Sequence, residues 1–308
     1  MNWKNILYVG ISLLLFSSCY NEDKIVPMEA EDEILRYEFP QGENTWDKDI
    51  VEISEKFGVH LIYKNFKHVD FNRSWTGAGT GTEMYGEDLT NEQAELCVKF
   101  MKNQIFAHLT PDILKKVLPD YWYLVYDYHY MRGGFLPGIY FKTSISFLDD
   151  GLDFWGICLF YGEPCPITGD EIETPEEPEQ FRERRCEVLS VILQHAFNKG
   201  NITVPSGFAE RFDYKTSLLT RDAEKDDPNF YITRGFPETG SFGNPLTVND
   251  HFMSYVRICM NYTNEEYEEE WPPIQYPLIH EMRKFVMDYM KNTYNIDLAA
   301  IAELREGW

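Results

Sequence analysis

The feature that most constrains this chain is a change of hydrophobic period. Tyr121 to Tyr128, Ile139 to Leu148 and Phe154 to Tyr161 alternate like strands, while apolar residues on either side recur at helical spacing. A period of two and a period of 3.6 cannot be exchanged, because the wrong element would turn half of its apolar side chains to water. Gly133-Gly134 and Asp149-Asp150-Gly151 supply turns between the strand patterns. Upstream, Trp46 to Phe57 places Ile50, Ile53 and Phe57 together with Gly58 as a stop, and Val59 to Phe66 alternates as a strand. Thr90 to His108 carries a stripe of Cys97, Phe100, Met101, Ile105 and His108 behind a Thr90/Gln93 capping box. Downstream, Phe181 to Asn198, Val248 to Met260 and Tyr276 to Tyr294 read as helices, and Ile296 to Leu304 as a short closing one. Helices around one strand-rich segment predict an α+β domain: a mixed β-sheet packed against long helices, with a helical C-terminal part.

The N-terminus is patterned differently. Lys4 precedes a nearly all-apolar run from Ile6 to Phe16, which ends in Phe16-Ser17-Ser18-Cys19. That is the layout of a secretory signal, and the run is far short of the roughly 20 residues that span a bilayer. A cysteine directly after two small residues resembles the lipobox of bacterial lipoproteins, in which that thiol is diacylated and becomes the first residue. The resemblance implies a signal peptide over 1–18, palmitate-type acylation of Cys19 and anchoring in the outer membrane; an ordinary secretory signal that contains a cysteine is the other reading. Tyr20-Asn21-Glu22-Asp23 resembles the surface-export signal of lipoproteins in certain Gram-negative gut anaerobes, which implies the cell surface or the periplasmic face. Tyr20 to Glu43 is acidic without periodicity. Residues 19–44 are therefore expected to be the lipidated Cys and a flexible tether, and 45–308 a single domain.

Removing the signal leaves about 290 residues, of a chain 44% hydrophobic and 16% aromatic, enough for a sizeable core. A formal charge of −23 and a pI near 4.6 repel phosphate backbones, so nucleic acid is not expected as a partner. Besides Cys19 the cysteines are Cys97, Cys158, Cys165, Cys186 and Cys259, an odd set with no metal-type spacing. They read as core residues, with pairing of Cys158 and Cys165 across a loop left open. The Pro- and Glu-rich run from Gly162 to Gln180 reads as a surface loop.

Several constellations invite chemistry. His195 lies on a helix among Val188, Leu189 and Ile192, but a metal-binding helix needs a second histidine four residues away, and positions 191 and 199 are Val and Lys. His280-Glu281 opens a His-Glu-x-x-His pattern that fails at Lys284. Gly77-Ala78-Gly79-Thr80-Gly81-Thr82 offers free amides to a phosphate, yet lacks the lysine of such cradles and reads better as a loop. Asp149, Asp150 and Asp153 suit either a hairpin turn or a calcium site. Tyr121-Trp122-Tyr123, Tyr126, Tyr128 and Tyr130 would stack on sugars if exposed; strand alternation would bury half of them.

Taken in order, these segments resemble the zinc-binding metallopeptidase lipoproteins that gut anaerobes encode beside outer-membrane glycan-uptake systems. Asp47-Lys48-Asp49-Ile50 to Phe57 with Val59-His60-Leu61-Ile62-Tyr63 resembles the family's first helix and strand. Asn249-Asp250-His251-Phe252-Met253-Ser254-Tyr255 resembles its Glu-Asp-Phe-Ala-Glu helix. Phe285 to Lys291 through Asn295-Ile296-Asp297-Leu298 resembles its final helix and closing Asn-Ile-Asp-Leu. The resemblance implies a zincin-like fold in which a His-Glu-x-x-His helix and a downstream Glu hold zinc and the motif Glu activates water. Here it implies loss of that site: His195 matches the second histidine, Val191 replaces the first, Ile192 replaces the catalytic Glu, and Ser254 replaces the downstream ligand. A pseudo-metallopeptidase with no catalytic residue and no metal follows, with binding of a peptide or glycan, or an accessory role beside outer-membrane uptake proteins. The alternative is an active peptidase whose zinc is held by an unrecognised set such as His195 with His251.

Overall fold

The computed structural model describes residues 36–73, 82–134, 140–151, 153–164, 172–218 and 230–305. The chain parts into two units between Glu38 and Phe39, and the architecture described here belongs to the second. It is mixed α and β, one mixed sheet with helices against it, which agrees with the α+β expectation.

The organising element is β3 (Tyr121–Gly133). Its first half runs parallel between β1 (His60–Ile62) and β6 (Phe154–Phe160), with Trp122 opposite both Leu61 and Trp155. Parallel strands need long crossovers, and the one from β1 to β3 contains α2 (His68–Phe71), α3 (Asn91–Phe100) and α4 (Pro111–Leu114). Past an irregularity at Val125/Tyr126, β3 changes partners and pairs antiparallel with β2 (Thr82–Glu87) and β4 (Tyr140–Ser144). The result is a three-stranded ribbon extending from the sheet.

The aromatic run does not bury only every second ring: Trp122, Tyr123, Leu124, Val125 and Tyr128 are all sealed from solvent. A strand with parallel neighbours is covered on both faces. Trp122 and Leu124 join Trp155, Ile157, Phe106 and the helices on one side. On the other, Tyr123 meets Phe154, Phe66 and Phe71. Each buried large side chain contributes about 1.5–3 kcal/mol.

The other expected elements hold with informative changes. α1 (Asp47–Phe57) ends at Gly58 in a left-handed conformation whose N–H meets Ser54 O at 2.8 Å. The strand expected over Val59 to Phe66 shortens to β1. Ile139 to Leu148 is broken into β4 and β5 (Phe147–Leu148), because Ile145 N–H still donates to Tyr128 O while Ser146 O already accepts from Cys158 N–H. The chain changes sheet partner at that step. α3 starts at the expected Thr90/Gln93 capping box but ends at Phe100; Met101–Ile105 is a π turn and Phe106–His108 a 3-10 turn. The π turn points Gln104 at Arg185, a fully buried guanidinium that also donates to Ile301 O at 2.8 Å and Glu303 O at 2.6 Å.

The C-terminal part is helical as expected. α5 (Pro178–Asn198), α7 (Val248–Asn261), α9 (Pro277–Tyr294) and α10 (Leu298–Ala302) pack together, with α6 (Phe230–Thr233) and α8 (Asn264–Glu270) at their ends. No helix among the described residues is long and apolar enough to cross a membrane.

Candidate functional site

α5 begins behind Glu177 with Pro178 at its first turn, and buries Val188, Leu189, Ile192, Leu193 and Ala196. His195 falls at the edge of that face, its side chain one-third exposed. Its Nε2 lies 2.8 Å from Asp149 Oδ2, and its ring packs on Trp155 at 5.0 Å. Two turns earlier on the same edge, Glu187 accepts from the Ser146 hydroxyl and from Arg184. The Asp149–His195 and Ser146–Glu187 contacts tie α5 to the segment around β5.

His195 and Asp149 thus give two metal-type donors, and a catalytic zinc needs three with an open position. Among the described residues no group of three or more His, Cys, Asp or Glu is placed to hold a metal ion. Val191 is half-buried and Ile192 fully buried, so Ile192 packs in the core. The combination of His195 with His251 is not assembled. His251, on α7, is fully buried and uses both nitrogens elsewhere: Nε2–H donates to Gly235 O and Nδ1 accepts from Tyr214 OH, each at 2.9 Å. Phe236 stacks on it at 4.1 Å, and burial pushes its pKa down to about 4. Ser254, also buried, donates its hydroxyl to His251 O at 2.7 Å.

The remaining candidates separate. The three turn aspartates diverge, since Asp149 takes His195 while Asp153 takes Arg73 at 2.8 Å, so the calcium reading is not supported. His280 meets Trp271 O and Glu281 meets Arg211, each at 2.6 Å, as helix-anchoring contacts. Cys158 is a free, buried thiol between Tyr128 N–H and Phe160 O. Cys19, Cys165 and Gly77 to Gly81 lie outside the described residues.

One cluster escaped sequence reading. Where β3 changes partners, Asp127 adopts a left-handed conformation (φ 48°). Its carboxylate accepts from Lys142 Nζ at 2.7 and 2.8 Å and from Gly162 N–H at 3.0 Å. His129 Nδ1 lies 2.5 Å from Asp127 O and 3.5 Å from its carboxylate, and the ring stacks on Tyr85. Alongside runs a groove of about 630 Å³ lined by Ser144, Tyr161, Gly162, Glu173, Thr174 and Gln180, among others. The only sequence signal for the cluster was polar residues at spacing two in both strands, which reads equally well as a solvated face.

These features define an α+β protein with a His–Asp pair, a polar strand cluster and an open groove. No family model matches the chain, and no curated protein matches it. Among solved structures it is similar to a “putative zinc-binding metallo-peptidase” from Bacteroides caccae, at 11% identity over 83% of this chain and 88% of that one, with a TM-score of 0.44.

Proposed function

We propose that this chain is a lipid-anchored binding protein at the outer membrane, built on a zincin-like scaffold that has lost zinc-peptidase chemistry. Acylation at Cys19 tethers it, and the domain beyond binds a peptide or glycan on behalf of a nutrient-uptake system. One observation carries the reading. The one histidine of the long helix α5, partly exposed, is occupied by Asp149, while neighbouring Ile192 is buried in the core, where a water-activating carboxylate would have to stand at the surface. The groove beside β4 is of a size that suits a small ligand.

Metal content decides the matter. The protein is purified without chelator and analysed by mass spectrometry before and after dialysis against zinc. Absence of stoichiometric zinc in both samples is expected; about one zinc per chain, with thermal stability lost on chelation, would overturn the reading in favour of a peptidase centred on His195. For the anchor, Cys19→Ser is expected to abolish incorporation of labelled palmitate and release the protein from membranes.

A further inference from the structure

We propose that Ser144, His129 and Asp127 form a metal-free ester-hydrolysing site at the mouth of the groove beside β4, an activity beyond binding and independent of the His195–Asp149 pair. Ser144 and His129 are direct partners across the β3–β4 ladder. Because Ile145 N–H donates to Tyr128 O at 2.9 Å, the next pair, His129 with Ser144, is the non-hydrogen-bonded kind, whose side chains stand closest, with Cβ atoms about 4.5–5.5 Å apart. Both point to the face that carries Asp127 and Lys142. Ser144 lines the groove, and His129 engages Asp127 O through Nδ1, which leaves Nε2 outside that contact.

The proton inventory fits. His129 Nδ1–H donates to Asp127 O, which leaves Nε2 as the basic nitrogen. The Asp127 carboxylate at 3.5 Å stabilises the imidazolium formed when Nε2 takes a proton, and Tyr85 fixes the ring from β2. Asp127 is a positioning residue, aimed by its left-handed backbone. Gly162 is required beside it, since a Cβ there would lie 2.9 Å from the Asp127 carboxyl carbon.

The step balances without a cofactor. Ser144 Oγ attacks the carbonyl carbon of an ester as its proton passes to His129 Nε2. The tetrahedral adduct collapses, the bond from carbonyl carbon to alcohol oxygen breaks, and the alcohol leaves with the proton from His129. Water repeats the sequence on the acyl-serine and frees the carboxylic acid. Glu173, Glu176 and Glu177 line the groove, so neutral or cationic esters are favoured over anionic ones.

The test is labelling of the whole protein with a fluorophosphonate, read by intact mass and peptide mapping. One adduct per chain on the Ser144 peptide is expected, none in Ser144→Ala, and labelling slowed about 100-fold or more in His129→Gln. The charged and titratable groups facing His129 are Asp127, Lys142 from β4, Tyr85 with its partner Glu83 from β2, and His68 from α2 beside them. Asp127→Asn should slow labelling of the wild type but add nothing to the loss already seen in His129→Gln, because Asp127 acts through His129; a structural role alone would slow both backgrounds alike. Ser144→Cys provides a second readout, an iodoacetamide-reactive thiol whose reactivity falls with His129→Gln. No adduct on the wild type, or an equal adduct on Ser144→Ala, would overturn the proposal.

Discussion

Arg185 carries its charge in a fully buried position where its acceptors are Gln104 and two backbone carbonyls. Burial pulls its pKa down to about 10, still charged at neutral pH. Arg185→Leu would leave the oxygens of Ile301 and Glu303 without that donor. A loss of about 3 kcal/mol in urea unfolding is expected, and Arg185→Lys should not restore it, because an ammonium lacks the planar fork. Two histidines set the acid response. Burial, above all, pushes His251 and His108 down to about 4, so both are neutral in the folded protein well below the ordinary histidine value near 6.5. Between those values the unfolded chain binds more protons, so stability falls as pH drops from 6.5 toward 4, by up to about 1.4 kcal/mol per pH unit for each histidine. Urea midpoints measured across that range should show a shallower slope in His251→Gln. Lower still, Arg182 holds Glu266 at about 2, so the advantage of wild type over Glu266→Gln is present above the ordinary carboxylate range and vanishes as pH falls toward 2. Over a third of the Glu266 side chain is exposed, so that advantage is about 1 kcal/mol or less.

At the scale of elements, legibility followed the range of the contacts. The α1 stop at Gly58 and the α3 cap at Thr90 depend on residues within one turn, and both were readable. The partner of His195 was not: Asp149 is 46 positions away, in a turn whose local chemistry suggests a hairpin or an ion. The π turn at Met101–Ile105 leaves no mark in the hydrophobic stripe, because it exists to deliver Gln104 to a helix far along the chain. The Asp127 cluster depends on strand register and on the irregularity in β3, neither of which period two encodes. The same packing makes two glycines sensitive. A Cβ on Gly86 would lie 2.2 Å from Val125 Cγ1, and one on Gly156 2.8 Å from the Tyr128 ring. Gly86→Ala and Gly156→Ala should each cost about 1–3 kcal/mol, seen as a lower melting temperature.

Across the whole molecule the charge of −23 opposes compactness. Raising ionic strength from about 10 mM to 200 mM screens that repulsion and should raise the melting temperature, while binding to nucleic acid should be absent at either salt. The contact between Arg185 and the carbonyls of Ile301 and Glu303 also has a consequence for synthesis. A ribosome delivers residues in order, so a nascent chain that has reached only Asp297 has α5 and Gln104 in hand but neither the two backbone acceptors for the Arg185 guanidinium nor α10 to cover α7. Closure of the core is therefore deferred until the residues near 303 have been added. The growing polypeptide lacks this set of contacts until the segment from Leu298 to Glu303 has been made.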